Sequence, residues 1–369
     1  MNEKLNNLAS TIVDYSIKVE ENEKVLITME QGVDIDFINL LVDKIIAKNA
    51  SVFVKIINDE VDSLIRSKLN DNLINLSKSN LEHEVNTYDS FIRICYNTND
   101  YENKNVNSDM YKKLKKITEY LDDIRINKRK WVILNYPSTT DAYKAKMTNN
   151  EFRDFAIDAM CFDYKKMQEL MLPLKQLMED TNKVRIVSKD TDISFSIKGM
   201  PAVICAGEFN IPDGEVFTAP IKNSVNGKIT YNTPSPYHDS IYNNICLEFK
   251  DGKIINATCS GDDTKLNEIF DTDEGSRYIG EFAIGINPLI KAPMGDILFD
   301  EKIYGSIHFT PGMAYAEAFN GNKSTIHWDL VLIQTKEYGG GEIYFDNVLI
   351  RKDGKFVVKE LEKLNFNID

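Results

Sequence analysis

The stretch "KVLITM" (Lys24–Met29), "FINLLVDKIIAKN" (Phe37–Asn49), "SVFVKII" (Ser51–Ile57) decides the fold of the first half of the chain. The outer runs are short, apolar and strand-like, and the middle one carries its apolar residues at helical spacing. A strand, a single helix and a second strand imply a right-handed crossover between parallel strands. The pattern repeats outward: helical segments around residues 60 to 85, a strand "SFIRICY" (Ser90–Tyr96), a helix near 108 to 126 and a strand "WVILNYP" (Trp131–Pro137). Together these predict an open α/β domain with a mostly parallel sheet covered on both faces. No G-x-G-x-x-G and no P-loop follows any of these strands, so the α/β half does not imply a nucleotide.

Beyond a helical stretch ending near Met178 the texture changes. From "VRIVS" (Val184–Ser188) onward, short strands are punctuated by turn signals such as "IPDG", "VNGK", "FNGN" and two copies of "KDGK"-like sequence. The expected organisation is an α/β domain over 1–180 and a β-rich domain over 181–369. A chain of 369 residues suits two domains, being too long for one ordinary core.

Composition excludes several classes of function. With 44 Lys and Arg against 57 Asp and Glu, the net charge is −13. Nucleic acid and anionic membrane demand basic surface, so neither is expected as a partner. The N-terminal "MNEKLNNLASTIVDYS" has no apolar core of signal-peptide length, and no run is long enough for a membrane helix. The 5 cysteines (Cys95, Cys161, Cys205, Cys246, Cys259) are scattered and form no C-x-x-C pair, as in a reduced cytoplasmic protein.

Only 4 histidines occur, at positions 83, 238, 308 and 327. In "STIHWDLVLIQ" (Ser324–Gln334), read as a strand, His327 and Asp329 fall on one face, an arrangement suited to a cation. In "LFDEKIYGSIHFTPGMAY" (Leu298–Tyr315), turns at Gly305 and at Pro311–Gly312 bracket His308, with Glu301 before it and Tyr315 after it. Glu215 in "IPDGEVFTAP" and Glu281 in "GSRYIGEFAIGINP" sit among apolar residues. A carboxylate there carries a desolvation cost unless a metal or a basic partner, such as Arg277, offsets it. Four carboxylates and two imidazoles without thiolate favour Zn, Co or Mn over Cu(I) or an iron–sulfur cluster. His83 reads as a surface helix residue, His238 as a loop histidine that could lie near substrate, and Glu342 and Asp346 as exposed.

At these segments the chain resembles the thermophilic-type metalloaminopeptidases, the aminopeptidase T and aminopeptidase S family. The resemblance runs along essentially the whole chain. It is carried by "LASTIVDYSIKVEENEKVLI", "GEVFTAP", "DEGSRYIGEFAIGIN", "LFDEKIYGSIHFTPGMAY", "GNKSTIHWD" and "RKDGKF". It implies two divalent metal ions per chain (Zn, Co, Mn or Mg) with ligands Glu215, Glu281, Glu301, His308, His327 and Asp329. Glu281 would bridge the ions and Tyr315 would be the active-site tyrosine. In one departure, the stretch between Glu301 and His308 is slightly longer here than in the thermophilic enzymes. The resemblance further implies an α/β N-terminal domain and a β-rich C-terminal domain. It also implies a homodimer enclosing its active sites, and short peptides with a free N-terminus as substrates. A metal-stabilised binding protein without turnover and a nucleotide-dependent oxidoreductase are the alternatives from other classes.

Overall fold

A computed structural model describes residues 2–237 and 240–366. His238 lies outside the described residues. The chain forms two compact units, one of residues 1–162 with 207–212, the other of residues 163–206 with 213–369.

The first unit is built on a five-stranded parallel sheet in the order Ser51–Ile57, Lys24–Glu30, Ser90–Cys95, Lys130–Asn135, Asn210–Ile211. The helix Ile35–Ala47 that links the first two strands starts where Asp34 accepts the Asp36 N–H, and it buries Phe37, Ile38, Leu41 and Ile45. Ile133 and Leu134 pair in parallel with Asn210 and Ile211, which draws that short segment out of the sequence of the second unit.

The second unit begins with the helix Tyr164–Asp180, which buries Tyr164, Met167, Met171, Leu174 and Met178 along one stripe. That stripe packs on the strands Val203–Cys205 and Glu215–Thr218, so the helix belongs with the β-rich region rather than with the α/β region that precedes it. Two large antiparallel sheets follow, together with a two-stranded ribbon of Ser235–Tyr237 and Ser240–Tyr242. One has eight strands. The other runs Val331–Ile333, Ser306–Pro311, Ile279–Gly285, Glu215–Thr218, Val203–Cys205.

The strand Ile279–Gly285 is buried along its whole length. Successive side chains leave its two faces alternately. On one face Phe282 meets Phe195 of the eight-stranded sheet at 5.0 Å between ring centroids, and Phe309 meets the same ring at 5.0 Å. Each such buried aromatic contributes on the order of 2–3 kcal/mol. The opposite face carries Glu281. The aromatic layer therefore fixes the register that presents the acidic residue. The segment Ser324–Gln334 is a strand only over Val331–Ile333. His327 is held by a single bridge to Gly312, and Asp329 lies in extended chain beside the sheet. No described helix is long and apolar enough to cross a membrane.

Candidate metal centre

Strand register brings three candidate ligands to one face. Thr310 pairs with Glu281, His308 with Ala283, and Glu215 with Gly285, so Glu281, His308 and Glu215 share the side that Ala283 and Gly285 leave low. Gly285 has a further role. A Cβ there would meet the Ile303 carbonyl at 2.4 Å and Ser306 Oγ at 2.6 Å. Only glycine lets residues 301–303 cross over the strand, and that crossing delivers Glu301 to the site. Gly312, at φ +112°, likewise lets the chain before His327 approach, since a Cβ would lie 2.1 Å from the Ile326 carbonyl.

The result is a cluster of acids and imidazoles around Glu281. His308 Nε2 lies 3.2 Å from Glu281 Oε1, and His327 Nε2 lies 3.4 Å from Glu281 Oε2 and 3.2 Å from Asp329 Oδ1. His327 Nδ1 is 2.8 Å from the Met313 carbonyl and donates to it, which leaves Nε2 as the nitrogen facing the carboxylates. Thr310 donates to Asp329 Oδ1 at 2.7 Å. Asp273 accepts from the Thr325 N–H and hydroxyl and from Ser324 and Ser276, pinning the chain two residues before His327. The Tyr315 ring packs on His327 at 4.5 Å between centroids and edge-on to Phe217 at 5.8 Å. All seven residues expected at the site are brought together. Arg277 pairs with Asp271 and Asn267 instead of with Glu281, and His83 is exposed on its helix.

Sequence reasoning missed Lys302. Its side chain is 1 % exposed, and its Nζ lies 2.6 Å from Glu215 Oε1, 2.7 Å from Glu301 Oε1 and 3.5 Å from Asp213 Oδ1. A lysine after "FDE" reads as surface charge. The only signal in the sequence was its place in an apolar run, "EKIYGSIHF".

Charge explains the protonation of the site. Burial would lower the pKa of His308, but the carboxylates of Glu215 and Glu281 push it up to about 10. His327 is raised in the same way by Asp329 and Glu281. Burial pushes Glu215 up to about 8 and also raises Glu301. For Glu281 and Asp329 burial acts upward too, yet contact with the two histidines holds both below the usual carboxylate range. Lys302 stays charged: burial opposes the charge, but Glu215, Glu301 and Asp213 outweigh it. Although Tyr315 is 46% exposed, partial desolvation and the charges of Glu281, Asp329 and Glu301 hold it well above the usual phenol range, so it is a hydrogen-bond donor at neutral pH.

The donors suit a divalent cation. Glu215, Glu281 and His308 each offer an atom within 4.8 Å of the others, and so do Glu281, His327 and Asp329, and Glu301, His308 and Asp329. Two buried atoms of these residues, Glu215 Oε2 and His327 Nε2, make no well-aligned hydrogen bond and have only ion-pair contacts, the first with His308 Nδ1 at 3.5 Å and the second with Asp329 Oδ1 at 3.2 Å and Glu281 Oε2 at 3.4 Å. Buried polar atoms without a full hydrogen bond are uncommon and are compatible with a site that takes a partner from outside the chain. The set is hard oxygen and borderline nitrogen, as Zn or Mn prefers.

A family model described as thermophilic metalloprotease (M29) matches residues 1–356. The chain belongs to that family. Among relatives of this M29 protein, aminopeptidase AmpS of Bacillus subtilis (strain 168) is 35% identical over 126 residues, covering 33% of this chain and 30% of that protein. Aminopeptidase T of Thermus thermophilus is 32% identical over 168 residues, covering 40% of each. The M29 chain thus aligns with well under half the length of these curated relatives. Its fold is shared with the solved AmpT of Thermus thermophilus, with a TM-score of 0.79, 17% identity and 97% and 100% of the two chains covered. It is also shared with a 2,5-dihydroxypyridine dioxygenase of Pseudomonas putida KT2440, with a TM-score of 0.63, 15% identity and 98% and 99% covered. At these identities the two structures speak for the fold alone.

Proposed function

We propose that the chain is a metal-dependent aminopeptidase that removes the N-terminal residue from short peptides. The observation that carries this reading is the pair of imidazoles directed at the two oxygens of one buried carboxylate, with Asp329, Glu215 and Glu301 grouped around them. Membership of a metalloprotease family and similarity to proteins named aminopeptidases support the reaction class. The residues that would hold metal are Glu281, His308, His327 and Asp329, with Glu215 and Glu301 completing the two-ion set and Glu281 common to both positions. Divalent cations bound there supply Lewis acidity and lower the pKa of water at the site.

The rest is the work of the chain's own side chains. The Met313 carbonyl fixes the ring orientation of His327, and Thr310 fixes Asp329. Tyr315 keeps its proton and donates to the oxyanion that develops on the scissile carbonyl, a contribution of about 2 to 4 kcal/mol. A carboxylate other than Glu281, either Glu215 or Glu301, carries a proton to the leaving amine. Both are held above the usual range by burial, as proton transfer near neutral pH requires. A homodimer and a cytoplasmic setting belong to the same proposal and rest on the family resemblance.

The test is release of free amino acid from leucyl and other short peptides by chelated protein, before and after Zn, Co or Mn is added. Cleavage restored by metal that spares an N-acetylated peptide is the expected result. Absence of cleavage with every ion, on an intact fold, contradicts the proposal.

A further inference from the structure

Lys302 sits where the expected two-ion set would place cationic charge. Its ammonium touches Glu215 and Glu301, the two acids that would complete the two-ion set, and lies near Asp213. This lysine is not free to swing away. Its carbonyl accepts the Asn287 N–H at 3.0 Å and its own N–H donates to the Phe299 carbonyl at 3.0 Å. Asn287 Nδ2 in turn holds the Asp213 carbonyl at 2.8 Å. The crossing over Gly285 leaves no space for an alternative path. A fully buried ammonium among three carboxylates puts a positive charge inside the acidic cluster, and removing one partner of such a buried pair is costly. By contrast, Glu281, His327 and Asp329 have no lysine or arginine within ion-pair distance among the described residues.

We propose that Lys302 is a resident cation that makes the two metal positions unequal, so that the chain retains one divalent ion at Glu281, His327 and Asp329. A second ion, drawing on Glu215, would have to share that carboxylate with the ammonium and would be repelled by it. It binds on the order of 10²-fold more weakly or worse, because like charges a few ångströms apart in a desolvated site repel strongly. Lys302 is a positioning residue: it holds Glu215 and Glu301 without touching the reacting atoms. The inference rests on the metal-site reading above and concerns only how many ions the site keeps.

The experiment is elemental analysis of protein saturated with Zn²⁺ and then passed through metal-free gel filtration. Wild type is expected to keep one zinc per chain, Glu215→Gln to keep one, and Asp329→Asn to keep none. Lys302→Met, with its fold checked by circular dichroism, is expected to keep two. If that variant does not fold, wild type and Glu215→Gln still decide. Two zincs retained by wild type, or loss of the retained zinc in Glu215→Gln, overturns the inference and leaves the metal site standing. No zinc retained by wild type removes the metal site itself.

Discussion

Each unit of the molecule sets a carboxylate against a basic side chain, and the two cases differ in one respect. In the first unit Glu30 gives one oxygen to Arg93 and the other to the Tyr96 N–H at 2.6 Å, so every acceptor is used. In the second unit Glu215 gives one oxygen to Lys302, while its other oxygen accepts no hydrogen bond and only faces His308 Nδ1 at 3.5 Å. Both carboxyls are raised by burial, so a shifted pKa does not separate them. Hydrogen-bond satisfaction does. A closed pair holds a sheet together, whereas an open one leaves an acceptor that a further partner can use.

The largest effect that would break this comparison is on catalysis. Glu281→Gln is expected to lower kcat/KM by on the order of 10³-fold or more while leaving the far-ultraviolet circular dichroism unchanged, since on the proposed reading several kcal/mol of transition-state stabilisation depend on the ion it would hold. Glu30→Gln is expected to leave kcat/KM as it is. Steady-state kinetics on the two variants separates a carboxylate of the proposed site from a structural one.

Next in size is Tyr315→Phe. Loss of the hydroxyl donor is expected to lower kcat by about 10²-fold with little change in KM, as for other donors to a developing oxyanion. Equal loss in KM would make the tyrosine a ground-state contact instead.

The pH dependence sharpens the comparison further. His308 is raised from 6.5 to about 10 and Glu215 from 4.5 to about 8. Stability from groups with raised pKa is complete below their ordinary values and is lost as pH rises through the shifted ones. The ion-free protein is therefore expected to melt at lower temperature at pH 10 than at pH 6.5. Zinc affinity should move the other way, rising by up to about tenfold per pH unit for each proton displaced. Calorimetry in buffers of different ionisation enthalpy counts those protons, and pH-independent affinity would contradict the charge assignment.

The smallest effects are on stability. Glu30→Gln is expected to cost about 1 kcal/mol in urea unfolding. Asp273→Ala should cost about 1–3 kcal/mol, because it strips partners from Ser276, Ser324 and Thr325 together. Hydrogen bonds hold the Asp273 carboxyl well below its ordinary 3.8 against the opposing effect of burial. That contribution is present above pH 4 and fades as the pH falls.

The parallel sheet was legible because its strands are continuous apolar runs separated by helical stripes, and no competing pattern overlaps them. The site was legible as residue types: Glu215 and Glu281 are acids in apolar surroundings, and the histidines are few. Other features were illegible for physical reasons. Lys302 follows an acid, as surface lysines commonly do, and only the glycine crossing at Gly285 turns it inward. The branched content of Ser324–Gln334 suggested one long strand, but pairing with the neighbouring strand begins only at Val331 and leaves His327 on a lone bridge. The helix Tyr164–Asp180 has the same apolar spacing whichever unit it serves, so spacing alone could not assign it.

The most direct test of the proposed metal centre is the zinc anomalous signal in crystals soaked at stoichiometric Zn²⁺. The account predicts a peak about 2 Å from His327 Nε2 and from carboxylate oxygens of Glu281 and Asp329. Zinc found only on surface acids, with these three residues bound to nothing but each other, would contradict it.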